Sequence, residues 1–196
     1  METIEKMRCE RPFPAAMDVE RVLVSESDIT KRVGELARMI EEDYTSSGHK
    51  LLLLGILKGS VVFMAELMKQ LKIHVEIDFM QVSSYGAGTT STGNIKILLD
   101  LARNDIKECD ILVVEDIIDS GRTLSYLVEY LKLRGAASVK TVTLLDKPSR
   151  RTVKFAPDYC GFEIPDEFVV GYGLDFDEKY RALPFIGVLK PELYEK

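Results

Sequence analysis

Residues 111–127 read ILVVEDIIDSGRTLSYL. Four apolar residues run straight into the adjacent acids Glu115 and Asp116. Asp119-Ser120-Gly121-Arg122-Thr123 then precedes a segment in which Leu124, Leu127, Val128 and Leu131 recur with helical spacing. A buried strand carries charge only where a partner compensates it. Three carboxylates within five positions at the end of such a strand therefore call for something from outside the chain. The unpaired amides of a first helical turn attract a phosphate, Gly121 lets the backbone approach closely, and Ser120 and Thr123 add hydroxyl donors. The acids just upstream would repel that phosphate, so they suit sugar hydroxyls or a magnesium ion bridging to a second phosphate group. The stretch points to a phosphorylated sugar. The plain alternative is that Ser120 caps the helix while the acids sit solvated.

The surrounding pattern sets the fold. LLLLGIL, 51 to 57, is a short continuous apolar run, the signature of a strand covered on both faces. SESD at 25 to 28 offers N-cap side chains, and Ile29, Val33, Leu36, Ala37, Ile40 and Tyr44 follow at helical spacing toward Ser47-Gly48. VVFMAELMKQL suits a second helix. HVEIDFMQV alternates as a half-exposed strand, and IKILLD after the Gly- and Thr-rich loop 83 to 93 is placed to return antiparallel to it. SVKTVTLLD, FVVGYG (168 to 173) and FIGVL (185 to 189) are further strands. Strand, helix and strand in this order predict a doubly wound α/β domain with a mostly parallel sheet flanked by helices, its ligand beyond the carboxyl ends of the strands.

With 196 residues, a net charge of −6 and a pI near 5.1, the chain is one acidic domain, which argues against a protein that grips nucleic acid. No apolar run approaches the roughly 20 residues of a membrane span, and the first residues lack the apolar core of a secretory signal. A cytoplasmic protein with neither membrane nor nucleic-acid partner is expected. Cys9, Cys109 and Cys160 show neither metal-ligand spacing nor a disulfide framework. The acid-rich strand invites comparison with a phospho-accepting receiver domain, but a receiver carries its acid pair on an early strand and no S-G-R-T turn. GxxxxGK[ST] is absent, and GAGTTSTG matches G-x-G-x-x-G only in part.

VVEDIIDSGRTL resembles the phosphoribosyl diphosphate signature of the type I phosphoribosyltransferases, with E-D-I-I-D-S-G closest to their hypoxanthine-guanine branch. LKGS at 57 to 60 is similar to that family's diphosphate loop and SSYG at 83 to 86 to its mobile flap. LLDKPSRR at 144 to 151 resembles its purine-lysine segment and FVVGYGLDFDEKYRALPFIGVL at 168 to 189 its hood. The resemblance runs in the family's order from about residue 25 to 190. It implies a single domain, with a hood formed by parts of the N-terminal segment and about 150–196.

The reaction so implied joins an imidazole-ring nitrogen of hypoxanthine or guanine to the anomeric carbon of phosphoribosyl diphosphate, giving IMP or GMP plus diphosphate, with Mg2+. By the same resemblance Glu115 and Asp116 hold the ribose hydroxyls, directly or through magnesium, and Asp119 is the general base. Asp119, Ser120, Gly121, Arg122 and Thr123 cradle the 5-phosphate. Lys58, Gly59 and Arg181 meet the diphosphate, with a cis peptide looked for at Lys58–Gly59, and Ser84 and Tyr85 close over it. Lys147 donates to the purine 6-oxo group, Phe168 stacks on the base and Val169 meets its edge. Asp175 joins Glu115 and Asp116 as a magnesium ligand beside the purine. The resemblance also implies a homodimer or homotetramer. A xanthine-preferring sister enzyme and a non-catalytic sensor of phosphoribosyl diphosphate on the same fold stay open.

Overall fold

The computed structural model describes residues 14–84 and 95–195. Strand β1 (Val19–Val24) leads into helix α1 (Glu26–Tyr44), strand β2 (Lys50–Leu57), helix α2 (Ser60–Gln70), strand β3 (Val75–Ser84) and strand β4 (Ile95–Leu99). Strand β5 (Cys109–Ile118), helix α3 (Arg122–Leu133), strand β6 (Ser138–Asp146), strand β7 (Tyr159–Glu163), strand β8 (Val169–Val170) and strand β9 (Ile186–Leu189) complete the order. Six strands form one sheet in the order β4-β3-β2-β5-β6-β7, parallel except that β4 runs antiparallel to β3.

The two apolar runs explain the layering. In β2, Leu51 and Leu53 enter the core beneath α1 and α2, whereas Leu52, Leu54 and Ile56 enter the core beneath α3. In β5, Leu112 and Val114 face the first core, and Ile111 and Val113 face the second. A strand with helices on both sides has no solvent face, so both of its alternating side-chain sets are apolar. Each fully buried Leu or Ile contributes about 1.5–3 kcal/mol relative to exposure. Helix α1 begins at Ser25, whose hydroxyl accepts from the Asp28 amide at 3.1 Å, and it buries all six of its periodic apolar residues.

β1, β9 and β8 make a second, antiparallel sheet over a small core of Val19, Val170, Leu183, Phe185 and Leu189. FVVGYG contributes only Val169–Val170 as strand, because the backbone turns to positive φ from Gly171 onward. Among the described residues no helix is long and apolar enough to cross a membrane.

Candidate active site

The carboxyl ends of β2, β5 and β6 lie side by side, and each delivers one part of the site. From β5 come Glu115 and Asp116, still within the ladder. Glu115 Oε2 is buried without a hydrogen-bond partner, while Asp116 Oδ1 accepts from the Ile117 amide at 2.8 Å. Burial and the adjacent Asp116 charge push Glu115 well above the ordinary carboxylate range. Burial pushes Asp116 up to about 6, with its backbone hydrogen bonds and Arg181 pulling the other way. Both acids therefore sit where ionisation is disfavoured until positive charge or hydroxyl donors arrive.

That environment has a consequence for stability. The folded-state pKa of Asp116 lies above its ordinary 3.8, so its contribution is complete below 3.8 and lost as pH rises through about 6. Asp116→Asn keeps an oxygen for the Ile117 amide and removes the cost of the buried charge. In metal-free buffer at pH 7.5 the variant should be more stable than the parent by about 1–3 kcal/mol, a Tm gain of roughly 2–4 °C per kcal/mol. At pH 3.5 the gain should vanish. Thermal unfolding at both values checks this, and a variant less stable at pH 7.5 contradicts it.

From β2 comes the Lys58-Gly59-Ser60 turn. The cis peptide joins Leu57 to Lys58, one bond before the position looked for in the sequence. Gly59 lies directly on Asp116, such that a Cβ there would stand 2.5 Å from the Asp116 Cγ. Lys58 Nζ donates to Glu178 Oε1 at 3.0 Å, and Glu178 Oε2 lies 3.4 Å from Arg181 Nη2. Arg181 also pairs with Asp175 Oδ1 at 2.9 Å and donates to the Gly173 carbonyl at 2.7 Å. Asp175 Oδ2 accepts from the Glu178 amide at 3.0 Å, so both of its oxygens are engaged. Among the described residues no three His, Cys, Asp or Glu side chains form a ready metal cage.

The 118–123 turn is held from behind. Lys147 N donates to the Ile118 carbonyl at 2.9 Å, Arg151 Nη1 to that of Asp119 at 2.6 Å, and Thr152 N to that of Ser120 at 3.0 Å. The amides of Ser120 and Gly121 donate to no other backbone group among the described residues. Gly121, at φ +79°, is the residue that caps α3, without a side-chain cap bond. Ser120 Oγ accepts from the Arg122 amide at 3.3 Å, so the turn is built by the left-handed glycine rather than by a serine cap. Arg122 is exposed, with its Nε donating to Thr152 Oγ1 at 3.1 Å, and Thr123 is half-buried in the first turn. Free amides at a helix start form an anion cradle.

From β6 comes Lys147, which is buried. Its ammonium stands 3.8 Å from Asp119 Oδ1 and 3.9 Å from Asp166 Oδ1, both beyond hydrogen-bond length. Arg150 closes the group, 3.8 Å from Asp119 and 3.2 Å from Asp166. Phe168 is partly exposed and stacks on Tyr194 at 4.7 Å between centroids, with Phe176 edge-on at 5.5 Å. Val169 is buried and paired with Val188. Ser84 ends β3, and Tyr85 lies outside the described residues.

Residues 24–177 match the phosphoribosyl transferase domain. The chain belongs to the type I phosphoribosyltransferase family. It is 56% identical over 178 residues to the hypoxanthine-guanine phosphoribosyltransferase of Lactococcus lactis, covering 91% of this chain and 95% of that protein. Over 179 residues it is 52% identical to the bifunctional TilS/HprT protein of Listeria monocytogenes, covering 91% of this chain and only 27% of that longer protein. A crystal structure of a Staphylococcus aureus hypoxanthine phosphoribosyltransferase superposes with a TM-score of 0.89 at 47% identity, covering 95% of this chain and all of that one.

Five charged side chains of this phosphoribosyltransferase-family site escaped the sequence reading: Asp146, Arg150, Arg151, Asp166 and Glu178. The signal available was charge density alone, in DKPSRR (146–151), PDE (165–167) and DFDEKYR (175–181). Nothing in such a run separates a solvated charge from a paired one.

Proposed function

We propose that the protein transfers the 5-phosphoribosyl group of phosphoribosyl diphosphate to hypoxanthine or guanine, releasing diphosphate and forming IMP or GMP. One observation carries the reading: the Ser120 and Gly121 amides, which have no backbone acceptor among the described residues, follow an acid pair in which Glu115 Oε2 is buried without a partner, and the segment behind them carries Lys147, a buried ammonium beyond hydrogen-bond length of its nearest carboxylates. A ligand complementary to all three carries a phosphate, vicinal hydroxyls and an exocyclic carbonyl oxygen.

The transition state develops positive charge on the ribose and negative charge on the leaving diphosphate. Glu115 and Asp116 meet the ribose hydroxyls and favour the cationic sugar. The buried, unpartnered Glu115 Oε2 and the neighbouring Asp116 carboxylate fit Mg2+, which takes one or two carboxylates together with phosphate oxygens and water. When bound, magnesium would supply charge that holds the sugar and the diphosphate together. Asp175, already engaged by Arg181, would be a further magnesium ligand beside the purine. Lys58, Gly59 and Arg181 take up the diphosphate, exchanging the Glu178 carboxylate for phosphate oxygens. Asp119 accepts the ring proton of the purine as the C–N bond forms and the C–O bond to diphosphate breaks. Lys147 donates to the 6-oxo oxygen. Phe168 stacks on the base by exchanging Tyr194 for the purine, and Val169 meets its edge. The same reading includes a homodimer or homotetramer.

The test is diphosphate release from phosphoribosyl diphosphate and magnesium with hypoxanthine, guanine, xanthine or adenine. Turnover should be clear with the first two, weak with xanthine and at least 100-fold lower with adenine, whose 6-amino group would set a donor against Lys147. Xanthine as the best substrate would make this the sister enzyme. Tight binding of phosphoribosyl diphosphate without turnover on any base would make it a sensor.

A further inference from the structure

The carbonyls of Ile118, Asp119 and Ser120 are all engaged by the single segment 147–152. With three consecutive carbonyls turned to one side, the intervening amides of Ser120 and Gly121 are left for the other side. The Ile118 and Ser120 carbonyls accept from the backbone amides of Lys147 and Thr152, with a longer bond from Thr152 Oγ1 to the Ser120 carbonyl at 3.4 Å, which leaves one donor to account for. The third is the Arg151 side chain, which donates from Nη1 to the Asp119 carbonyl at 2.6 Å. Its Nη2 donates to Asp146 Oδ1, and Asp146 in turn is the last residue of β6, the residue before Lys147. Both partners are largely withdrawn from solvent, with side-chain exposures of 15% and 8%. The Arg151 stem also fills the space behind Gly121, where a Cβ would meet Arg151 Cδ at 2.8 Å.

We propose that Arg151, oriented by Asp146, is a positioning residue for the phosphate turn: it holds the Asp119 carbonyl so that the turn's amides face the 5-phosphate. The proposal rests on the reading of 119–123 as a phosphate cradle. A guanidinium can hold both acceptors because its donors diverge in one rigid plane, and an ammonium on a flexible stem cannot hold both in the same geometry. The pair thereby ties two parts of the site together, since the strand end that carries Lys147 also sets the turn that carries Asp119.

The test compares the parent with Arg151→Lys and Arg151→Gln, using ribose 5-phosphate as the phosphate probe in calorimetry and steady-state kinetics with phosphoribosyl diphosphate and hypoxanthine. Loss of one charge-assisted hydrogen bond to the turn should weaken ribose 5-phosphate and raise the KM for phosphoribosyl diphosphate by about 10- to 100-fold in the Gln variant. The KM for hypoxanthine should stay within about twofold, a split that general loosening of the fold would not produce. Lys should recover stability more fully than affinity. The exchange Asp146→Arg with Arg151→Asp keeps opposite charges together without the donor to Asp119, so it too should leave affinity low. Unchanged affinity for ribose 5-phosphate in folded Arg151→Gln overturns the proposal. Full recovery of affinity by Lys or by the charge exchange overturns it as well, reducing Arg151 to a structural partner. If Gln does not fold, the Lys variant decides by the same comparison. A parent that binds neither ribose 5-phosphate nor phosphoribosyl diphosphate overturns the cradle reading itself, and the positioning role with it.

Discussion

Asp119→Asn should lower kcat with hypoxanthine by about 10²- to 10⁴-fold, the range in which a positioned general base contributes. The substitution is nearly isosteric, and the Asp119 side chain is 48% exposed with its nearest cations, Lys147 and Arg150, each 3.8 Å away. Pairs so long and so exposed contribute at most about 1 kcal/mol to stability. The fold and the turn should therefore survive, because the turn is held through the Asp119 carbonyl and not through its carboxylate. Affinity for phosphoribosyl diphosphate should change little while turnover collapses. Rapid-quench measurement of diphosphate release beside equilibrium binding separates the two. An Asn variant that retains kcat within a factor of three removes Asp119 from the chemistry.

Lys147→Met is the second large effect. The ammonium is buried, and the two carboxylates nearest to it lie beyond hydrogen-bond length, so its donors are available to a ligand. A hydrogen bond from a charged donor contributes about 1.5–3 kcal/mol. Replacing it by a thioether of similar length should cut kcat/KM for hypoxanthine about 10- to 100-fold. Adenine should lose nothing, because it cannot use the donor, and the gap between the two bases should narrow by the same factor. The fold should tolerate the change, since Asp119 and Asp166 are both half-exposed and keep Arg150 between them. Parallel kinetics on the two bases decide the matter: an unchanged ratio would show that Lys147 does not read the 6-position.

Parts of the fold were legible because burial on two faces leaves a direct imprint on composition. LLLLGIL and ILVV feed alternate side chains into cores on opposite sides of the sheet, and no solvent face remains to interrupt the run. The period of α1 matched its buried residues one for one. By contrast, β1 and β7 were not read. VERVLV and YCGFE mix apolar and polar residues, and each is an edge strand defined by a partner elsewhere, Ile186–Leu189 for the first and Val142–Asp146 for the second. A short edge strand has little pattern of its own.

The candidate site divides in the same way. Glu115, Asp116 and the 119–123 turn are adjacent in the chain, and a strand that ends in acids before a glycine and a helix is a local arrangement, so local sequence determines it. Lys58, Lys147 and Arg181 each belong to their own segments as well. What the tertiary structure alone decided is how those groups are constrained. Gly59 is pressed onto Asp116, Glu178 spans Lys58 and Arg181, and Arg151 reaches from Asp146 to the Asp119 carbonyl. The contacts of Gly59 with Asp116, Lys58 with Glu178 and Arg151 with the Asp119 carbonyl join residues far apart in the chain, and their energies depend on distance and on exclusion of water. Sequence sets which charges exist and where each strand ends. Only the packed sheet sets which of those charges meet and which are left without a partner for a ligand to satisfy.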